Sequence, residues 1–212
     1  MSSVKTAPAN AVQSAKQKLD EIVHNLKIDY KDWTSFHTNG LPLVKNMAKT
    51  FGRCLKLMNL QKKKTRAQTI SSRHKKLLQA LKTPNERLMR LVDRLLDATE
   101  HTRENVIALR QLCSTYGELC EYIFYRNWQL RDMLEFAESI MRFYDAEYEI
   151  KEMVLGELIN SKDQQELNFI RKAWCEPRHA LTPEFSTMFN EFNFETAEVD
   201  SGTQRSETNL PY

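Results

Sequence analysis

The sequence predicts an all-α fold, an elongated helical bundle or coiled-coil hairpin with disordered termini, on three observations. Apolar residues recur at the 3.6-residue spacing of a helix over long stretches, most clearly at residues 128–158. The 212 residues include only five glycines, and 28% of them are charged, which is typical of long solvated helices. The mean hydropathy is −0.58, and no apolar stretch approaches the roughly 18 residues of a membrane span.

Residues 128–158 contain no proline, and their one glycine, Gly156, lies near the end. Apolar side chains from Met133 to Leu158 recur mostly by four and three, and a second apolar row lies beside the first. We expect a helix roughly 45 Å long, at 1.5 Å per residue. Its apolar face is wider than a two-stranded seam, so it should be covered from at least two sides.

A second long helix is predicted at residues 84–123. Thr83, Pro84 and Glu86 form a strong start signal, with a cap, a proline at the first helical position and a capping box. From Leu88 to Ile123 the seam residues alternate by four and three, which is the pattern of a left-handed coiled coil. The two long helices should pair as a hairpin that the N-terminal and C-terminal helices close.

Breaker residues and changes in composition divide the rest of the chain. Asn39-Gly40 favours a positive backbone φ and predicts a turn between two N-terminal helices. Residues 62–76 contain seven Lys or Arg, no acid and one large apolar residue, so they cannot build a core. The predicted organisation is a disordered N-terminus at 1–11, an N-terminal helical hairpin at 12–60, a basic linker or loosely helical arm at 61–76, the long helical hairpin with short C-terminal helices at 77–194, and a disordered tail at 195–212.

The sequence contains no pattern of residues that favours catalysis or a cofactor. The five histidines show no metal-binding spacing, the five glycines form no phosphate loop, and the four cysteines form no CxxC pair. We therefore predict that the protein is not an enzyme and has no catalytic, cofactor-binding or metal-binding residues. Cys113 and Cys120 lie two turns apart on one predicted helix, too distant for a disulfide, and are interpreted as structural thiols.

The net charge of +3 conceals a strong asymmetry along the chain. Residues 1–90 carry 19 Lys or Arg against five Asp or Glu, whereas residues 91–212 carry 12 against 23. Either the basic half faces an acidic partner, or the two halves fold against each other.

The basic run at residues 62–76 has three interpretations: a nuclear import signal, an unspecific contact with nucleic-acid phosphates, or a solvated linker. No aromatic residue interleaves the run, which argues against base stacking. The candidate residues are Lys62, Lys63, Lys64, Arg66, Arg73, Lys75 and Lys76.

Two further sets of residues are candidates for modification or binding. Thr83 and Thr182 are each followed by proline, the minimal context for a proline-directed kinase, although both also suit a helix cap, which is the simpler interpretation. Large apolar residues could anchor a partner, but core packing is the default in a small helical layer. These candidates are Trp33, Leu134, Phe136, Phe143, Trp174, Phe185 and Phe189.

One part of the chain carries a family resemblance. Residues 139–158 read SIMRFYDAEYEIKEMVLGEL, a polar break NSKD follows at 160–163, and the next helix contains Trp174 and stops at Pro177. This part resembles the cyclin-dependent kinase 2-interacting protein family, which shows a helix of the type LLEMYxxELxxKxxVxxEL, a short polar break, and a helix ending in tryptophan and proline. The pair Asp32-Trp33 also fits. The middle helix matches only in pattern, and the basic run is not part of the resemblance.

The resemblance implies a small non-catalytic nuclear adaptor with no active-site residues. Members of that family link cyclin-dependent and replication kinases, the checkpoint response to replication stress, and an AAA-type ATPase assembly used in DNA replication and ribosome biogenesis. We therefore expect protein partners of these kinds, an indirect rather than direct contact with nucleic acid, and a nuclear location that extends to the cytoplasm. The alternative is a helical module that uses its basic N-terminal half to bind a membrane surface or nucleic acid.

Overall fold

The computed structural model of the protein describes residues 9–62 and 67–197, with side chains at 9–60 and 71–197. This part of the chain is all-α, as predicted, with a two-stranded antiparallel sheet as its one non-helical element. None of its helices is both long and apolar enough to cross a membrane. The elements are α1 (Ala9–Lys62), α2 (Ala67–Thr115), a 3-10 helix (Gly117–Leu119), β1 (Ile123–Tyr125), β2 (Trp128–Gln129), α3 (Leu130–Glu157), α4 (Gln164–Cys175) and α5 (Pro183–Glu195).

Helix α1 is one continuous helix, so the predicted N-terminal hairpin at 12–60 is wrong. Asn39-Gly40 and Pro42 all lie inside it. Buried residues before the expected turn, such as Trp33, and after it, such as Val44, face the same core. Packing along one straight face outweighs the local preference of Asn-Gly for a turn, because tertiary burial is worth more than a turn propensity.

Helix α2 also passes through its expected start signal. It begins at Ala67 and contains Pro84 in its interior, so the predicted cap at Thr83 is wrong. Leu81 and Leu88, on either side of the proline, are both buried, and the core therefore holds the helix together across that position. Residues 67–76, predicted to be a linker or arm, are the first turns of this helix.

The predicted seam of α2 is confirmed from Leu88 to Leu109, where each seam residue is buried. The helix then ends at Thr115 rather than at Ile123. The sheet that follows pairs Ile123 with Gln129 and Tyr125 with Trp128. Contacts on both sides favour this turn: the Tyr125 hydroxyl donates to Asp20 Oδ1 over 2.5 Å, and the Asn127 N–H donates to Glu195 Oε2 over 3.2 Å.

Helix α3 confirms the long helix predicted at 128–158, and its N-cap is Gln129, which forms a capping box with Asp132. Helix α4 starts after Asp163, whose side chain accepts from two backbone N–H groups. Helix α5 starts as predicted, because Thr182 caps it through the Phe185 N–H. Pairs such as Arg103–Asp145 and Arg110–Glu138 show that α2 and α3 run antiparallel.

The core lies where α3, α4 and α5 pack on α1 and α2, and it contains an aromatic layer formed by α1, α3 and α5. Phe189 of α5 stacks on Tyr30 of α1 at 3.9 Å between ring centroids, and Phe192 stacks on Phe136 of α3 at 4.3 Å. Stacked aromatic pairs add roughly 0.5–1.5 kcal/mol each beyond the burial of their area. Helix α5 is therefore an integral part of the fold. The predicted disordered segments at 1–8 and 198–212 lie outside the described residues, whereas residues 9–11 and 195 are helical.

Gly40 gives a direct test of the uninterrupted α1. A β-carbon added there would lie 2.2 Å from Trp174 Cζ2, whereas one added at Gly156 of α3 would meet no atom within 4 Å. We expect Gly40→Ala to lower the free energy of unfolding by about 1–3 kcal/mol through overpacking. The matched control Gly156→Ala should raise it by up to about 1 kcal/mol, because alanine favours a helix. Urea denaturation followed by circular dichroism measures both, and equal effects would contradict the packing described.

Candidate interaction surfaces

Most of the residues predicted to anchor a partner lie in the core of the chain itself. Trp33, Phe136, Trp174, Phe185 and Phe189 are buried. Leu134 and Phe143 are half-buried and pack against the same core. The core interpretation is confirmed for the five buried side chains, which cannot contact a partner while the chain is folded.

A buried ion pair connects α3 to the chain after α4. Glu147 and Lys151 are both fully buried, and Lys151 Nζ donates to Glu147 Oε1 over 2.5 Å. The second carboxylate oxygen of Glu147 accepts the backbone N–H groups of Arg178 and His179, at 3.0 and 2.9 Å. Lys151 also donates to the Trp174 carbonyl over 3.2 Å. We call these residues the Lys151 cluster, and its hydrogen bonds satisfy both buried charges.

The Lys151 cluster extends to α1 through Trp174. The Trp174 indole N–H donates to the His37 carbonyl over 3.4 Å, and the two rings stack with 6.2 Å between centroids. Burial, together with the nearby charge of Lys151 and against the opposing charge of Glu147, lowers the pKa of His37 from 6.5 to about 4. Burial also lowers the pKa of Lys151, against the opposing charge of Glu147. The environment therefore keeps His37 neutral.

The Lys151 cluster contains three of the positions that carry the family resemblance, Glu147, Lys151 and Trp174. Six residues of 144–158 match fixed letters of the family pattern. Glu157 is exposed, and the other five are each 0% exposed, namely Tyr144, Glu147, Lys151, Val154 and Leu158. Trp174, the matching tryptophan of α4, is also fully buried and contacts Lys151. The apolar positions of this set all belong to the hydrophobic core, and sequence reasoning missed the ion pair buried beside them.

A second polar cluster lies between α1 and α2 around Asp29, which is 3% exposed. Thr102 donates to Asp29 Oδ2 over 2.9 Å, and His101 Nδ1 lies 2.7 Å from Asp29 Oδ1. Burial raises the pKa of Asp29, although the hydrogen bonds from His101 and Thr102 oppose this shift. The cluster explains why a threonine occupies the apolar seam of α2, because its hydroxyl is needed to satisfy the buried carboxyl group.

Cys113 and Cys120 lie close together, which the sequence interpretation did not expect. Since α2 ends at Thr115, the chain turns back and Cys120 Sγ donates to the Cys113 carbonyl over 3.6 Å. Both cysteines are free thiols. Burial, with a smaller contribution from the Cys120 thiol, raises the pKa of Cys113 to about 11. This shift disfavours the reactive thiolate form.

In contrast to the buried polar clusters, the end of the antiparallel α1–α2 pair is exposed. Its side chains at 56–60 and 71–80 are exposed or half-buried, and we call residues 53–60 and 71–80 the hairpin end. A cleft of about 440 Å³ lies there between the two helices. Its lining residues are Arg53, Lys56, Leu57, Arg73, Lys76 and Leu77.

The hairpin end contains part of the predicted basic run. Arg73, Lys75 and Lys76 are exposed on α2. Lys62 belongs to α1, and its side chain is outside the described set, as are Lys63, Lys64 and Arg66 entirely. Sequence reasoning missed Arg53 and Lys56, which lie outside the basic run but line the same cleft.

The two candidate phosphorylation sites differ in surroundings. Thr83 is exposed on the middle of α2, where it caps no helix. Thr182 is half-buried and its hydroxyl oxygen accepts the Phe185 N–H over 3.2 Å. A kinase would therefore meet an accessible side chain at Thr83 and an occupied cap at Thr182.

Among the described residues, no group of three or more His, Cys, Asp or Glu could hold a metal ion. Comparison with known proteins adds no assignment. No family model matches the sequence. No curated protein matches it either.

The Lys151 cluster predicts a large cost for removing one charge alone. Glu147→Gln leaves Lys151 without its counter-charge, and we expect the free energy of unfolding to fall by about 3–5 kcal/mol. The double variant Glu147→Gln with Lys151→Met should lose less than the two single variants together, because no buried charge is left unpaired. The exposed pair Arg110–Glu138 is the control, and Arg110→Gln should cost less than about 1 kcal/mol. Additive losses in urea denaturation would contradict the coupling.

His37 predicts a defined acid dependence of stability. Neutral His37 contributes fully to the free energy of unfolding above pH 6.5, the ordinary histidine pKa. This contribution is lost as the pH falls toward the pKa of about 4 that His37 has in the folded chain. Across this pH range the free energy of unfolding of wild type should therefore fall by up to about 1.4 kcal/mol per pH unit more than that of His37→Phe. Phenylalanine keeps an aromatic ring against Trp174. The exposed His24→Gln is the control and should follow wild type. Parallel curves for wild type and His37→Phe would show that His37 is not held neutral.

Proposed function

We propose that the protein is a non-catalytic adaptor subunit in the nucleus. In this role it links cyclin-dependent and replication kinases, the replication-stress checkpoint and an AAA ATPase assembly that serves DNA replication and ribosome biogenesis. One observation carries the proposal: three of the residues that carry the resemblance to the cyclin-dependent kinase 2-interacting protein family, Glu147, Lys151 and Trp174, are joined in one buried cluster. Residues of a pattern that contact one another in the fold support a resemblance more strongly than apolar spacing alone.

The shape of the chain supports an adaptor. Its two longest helices run antiparallel, and their common end has few buried side chains. The core lies where α3, α4 and α5 pack on α1 and α2, so the hairpin end can contact another protein without disturbing it. Exposed surface on a pair of helices is a feature that an adaptor can use to bind a partner.

Affinity capture tests the proposal. The full chain, tagged and expressed in cells of its own source, should recover an AAA ATPase or replication kinases well above a tagged helical protein of similar size. Nuclease treatment of the lysate should leave this recovery unchanged, because the contact with nucleic acid is indirect. Recovery of cytoskeletal or membrane proteins alone would overturn the adaptor role, and recovery lost on nuclease treatment would replace it with nucleic-acid binding.

A further inference from the structure

The hairpin end exposes apolar side chains that a surface helix normally buries. Leu55 of α1, inside the hairpin end, and Leu81 of α2, next to it, are buried core residues. Beyond them, Met58, Leu60 and Leu78 are 39%, 51% and 44% exposed. Several large apolar residues exposed together mark an interaction surface more often than a solvated one.

The cleft in the hairpin end is built from the same short pattern on both helices. Arg53, Lys56 and Leu57 of α1 follow the spacing Arg-x-x-Lys-Leu. Arg73, Lys76 and Leu77 of α2 repeat that spacing. Because the helices are antiparallel, the cleft receives one leucine and two cations from each side. Its wall is nearly all apolar, so the long basic side chains cover it with their aliphatic stems while their charges face solvent.

The stretches of α1 and α2 that form the cleft carry only positive charge. Residues 45–82 contain twelve Lys or Arg and no Asp or Glu. None of the four cations of the cleft takes part in the ion pairs of the described residues. A positive field that no ion pair of the described residues compensates favours an acidic ligand and raises its rate of association.

The chemistry of the cleft distinguishes between acidic ligands. Nucleic acid would gain phosphate contacts but no stacking, since Phe51 is the one Phe, Tyr or Trp in residues 45–82 and is buried. A bilayer would meet the cations but would not enter a concave cleft between two helices. A third helix fits both features, because helices pack with an apolar row in the groove between two others and with charged residues on either side of that row.

We infer that the cleft binds an acidic amphipathic helix of a partner protein. The apolar row of that helix lies between Leu57 and Leu77. Its Asp and Glu side chains, three or four residues apart, pair with Arg53 and Lys56 on one side and with Arg73 and Lys76 on the other. The inference rests on the proposed adaptor function for its biological context, but the binding itself depends only on the hairpin end.

A designed peptide tests the binding. The probe is a fluorescein-labelled peptide of about 20 residues, long enough to form a helix, with Leu at every third or fourth position and with Ala and Glu in turn at the others, so that repulsion between Glu side chains does not unfold it. A second peptide has the same composition with its leucines spread around the helix. Fluorescence anisotropy with the full chain should show binding of the first peptide that weakens as salt is added. The second peptide should bind at least about tenfold more weakly, because it presents no continuous apolar row.

Matched variants locate the site. The cleft variant replaces the four cations by glutamine, as Arg53→Gln, Lys56→Gln, Arg73→Gln and Lys76→Gln. It should bind the first peptide about tenfold or more weakly, because four exposed charge contacts are removed. The control carries Lys18→Gln, Arg87→Gln, Arg90→Gln and Arg178→Gln, which remove the same charge from residues outside the cleft, and it should lose little. Leu57→Ser with Leu77→Ser should weaken binding without changing its salt dependence. Circular dichroism must show the helicity of wild type in every variant, and glutamine is chosen because it preserves helix propensity.

Several results would overturn the inference. These are no binding at low salt, equal binding of the two peptides, and equal losses in the cleft and control variants. Vesicles of anionic lipid and a single-stranded RNA of about 20 nucleotides, longer than a typical single-strand binding site, serve as competitors. If either binds more tightly than the first peptide and ignores the leucine variants, the surface is a lipid or nucleic-acid site instead.

The inference and the adaptor function fail separately. In the first case, the cleft variant loses peptide binding but captures kinases or an AAA ATPase as well as wild type does. Both the adaptor role and the peptide site would then stand, and the captured partners would bind another surface. Peptide binding with no such partners captured by wild type would keep the cleft and overturn the adaptor role.

Discussion

The contact between Lys151 and Glu147 determines how the C-terminal third of the chain is placed. Each charge would be costly in the core by itself, and together they satisfy each other and three backbone groups, the carbonyl of Trp174 and the N–H groups of Arg178 and His179. A hydrophobic pair would fill the same space without choosing these partners. The ion pair therefore specifies one arrangement of α4 and the following turn on α3, and that arrangement carries Trp174 to Gly40 of α1.

The clusters around Lys151 and Asp29 each fix the position of α1 against a different helix. The Asp29 cluster fixes its register on α2, since a shift of one helical turn would leave the buried carboxyl group without Thr102. Trp174 and His37 fix α1 against α4 further along the same helix. Between them lies the aromatic layer that α5 completes with Phe185 and Phe189. Polar contacts thus select the arrangement, while aromatic and aliphatic burial supplies most of the stability.

The sequence predicts the helical class, α3, the cap of α5 and the seam of α2, because apolar periodicity reports burial directly. It fails at Asn39-Gly40 and Thr83-Pro84, where a local turn or cap signal is outweighed by buried neighbours on both sides. The ion pair had a readable signal, since Glu147 and Lys151 continue the four-and-three spacing of Tyr144, Val154 and Leu158 with opposite charges. The sequence contains no comparable signal for the cleft, because the cleft forms only when the register of α1 on α2 brings Leu57 beside Leu77.

The exposed hairpin end has a further consequence for local stability. Residues there gain little from burial, so their helical turns are held mainly by propensity and should open at a lower free energy than the middle of α1, where Trp33 and Met47 are fully enclosed. Any ligand that binds only the helical form must also order these turns, and its affinity therefore includes that cost. Changes in helix propensity at positions that touch no ligand would tune binding through the population of the helix.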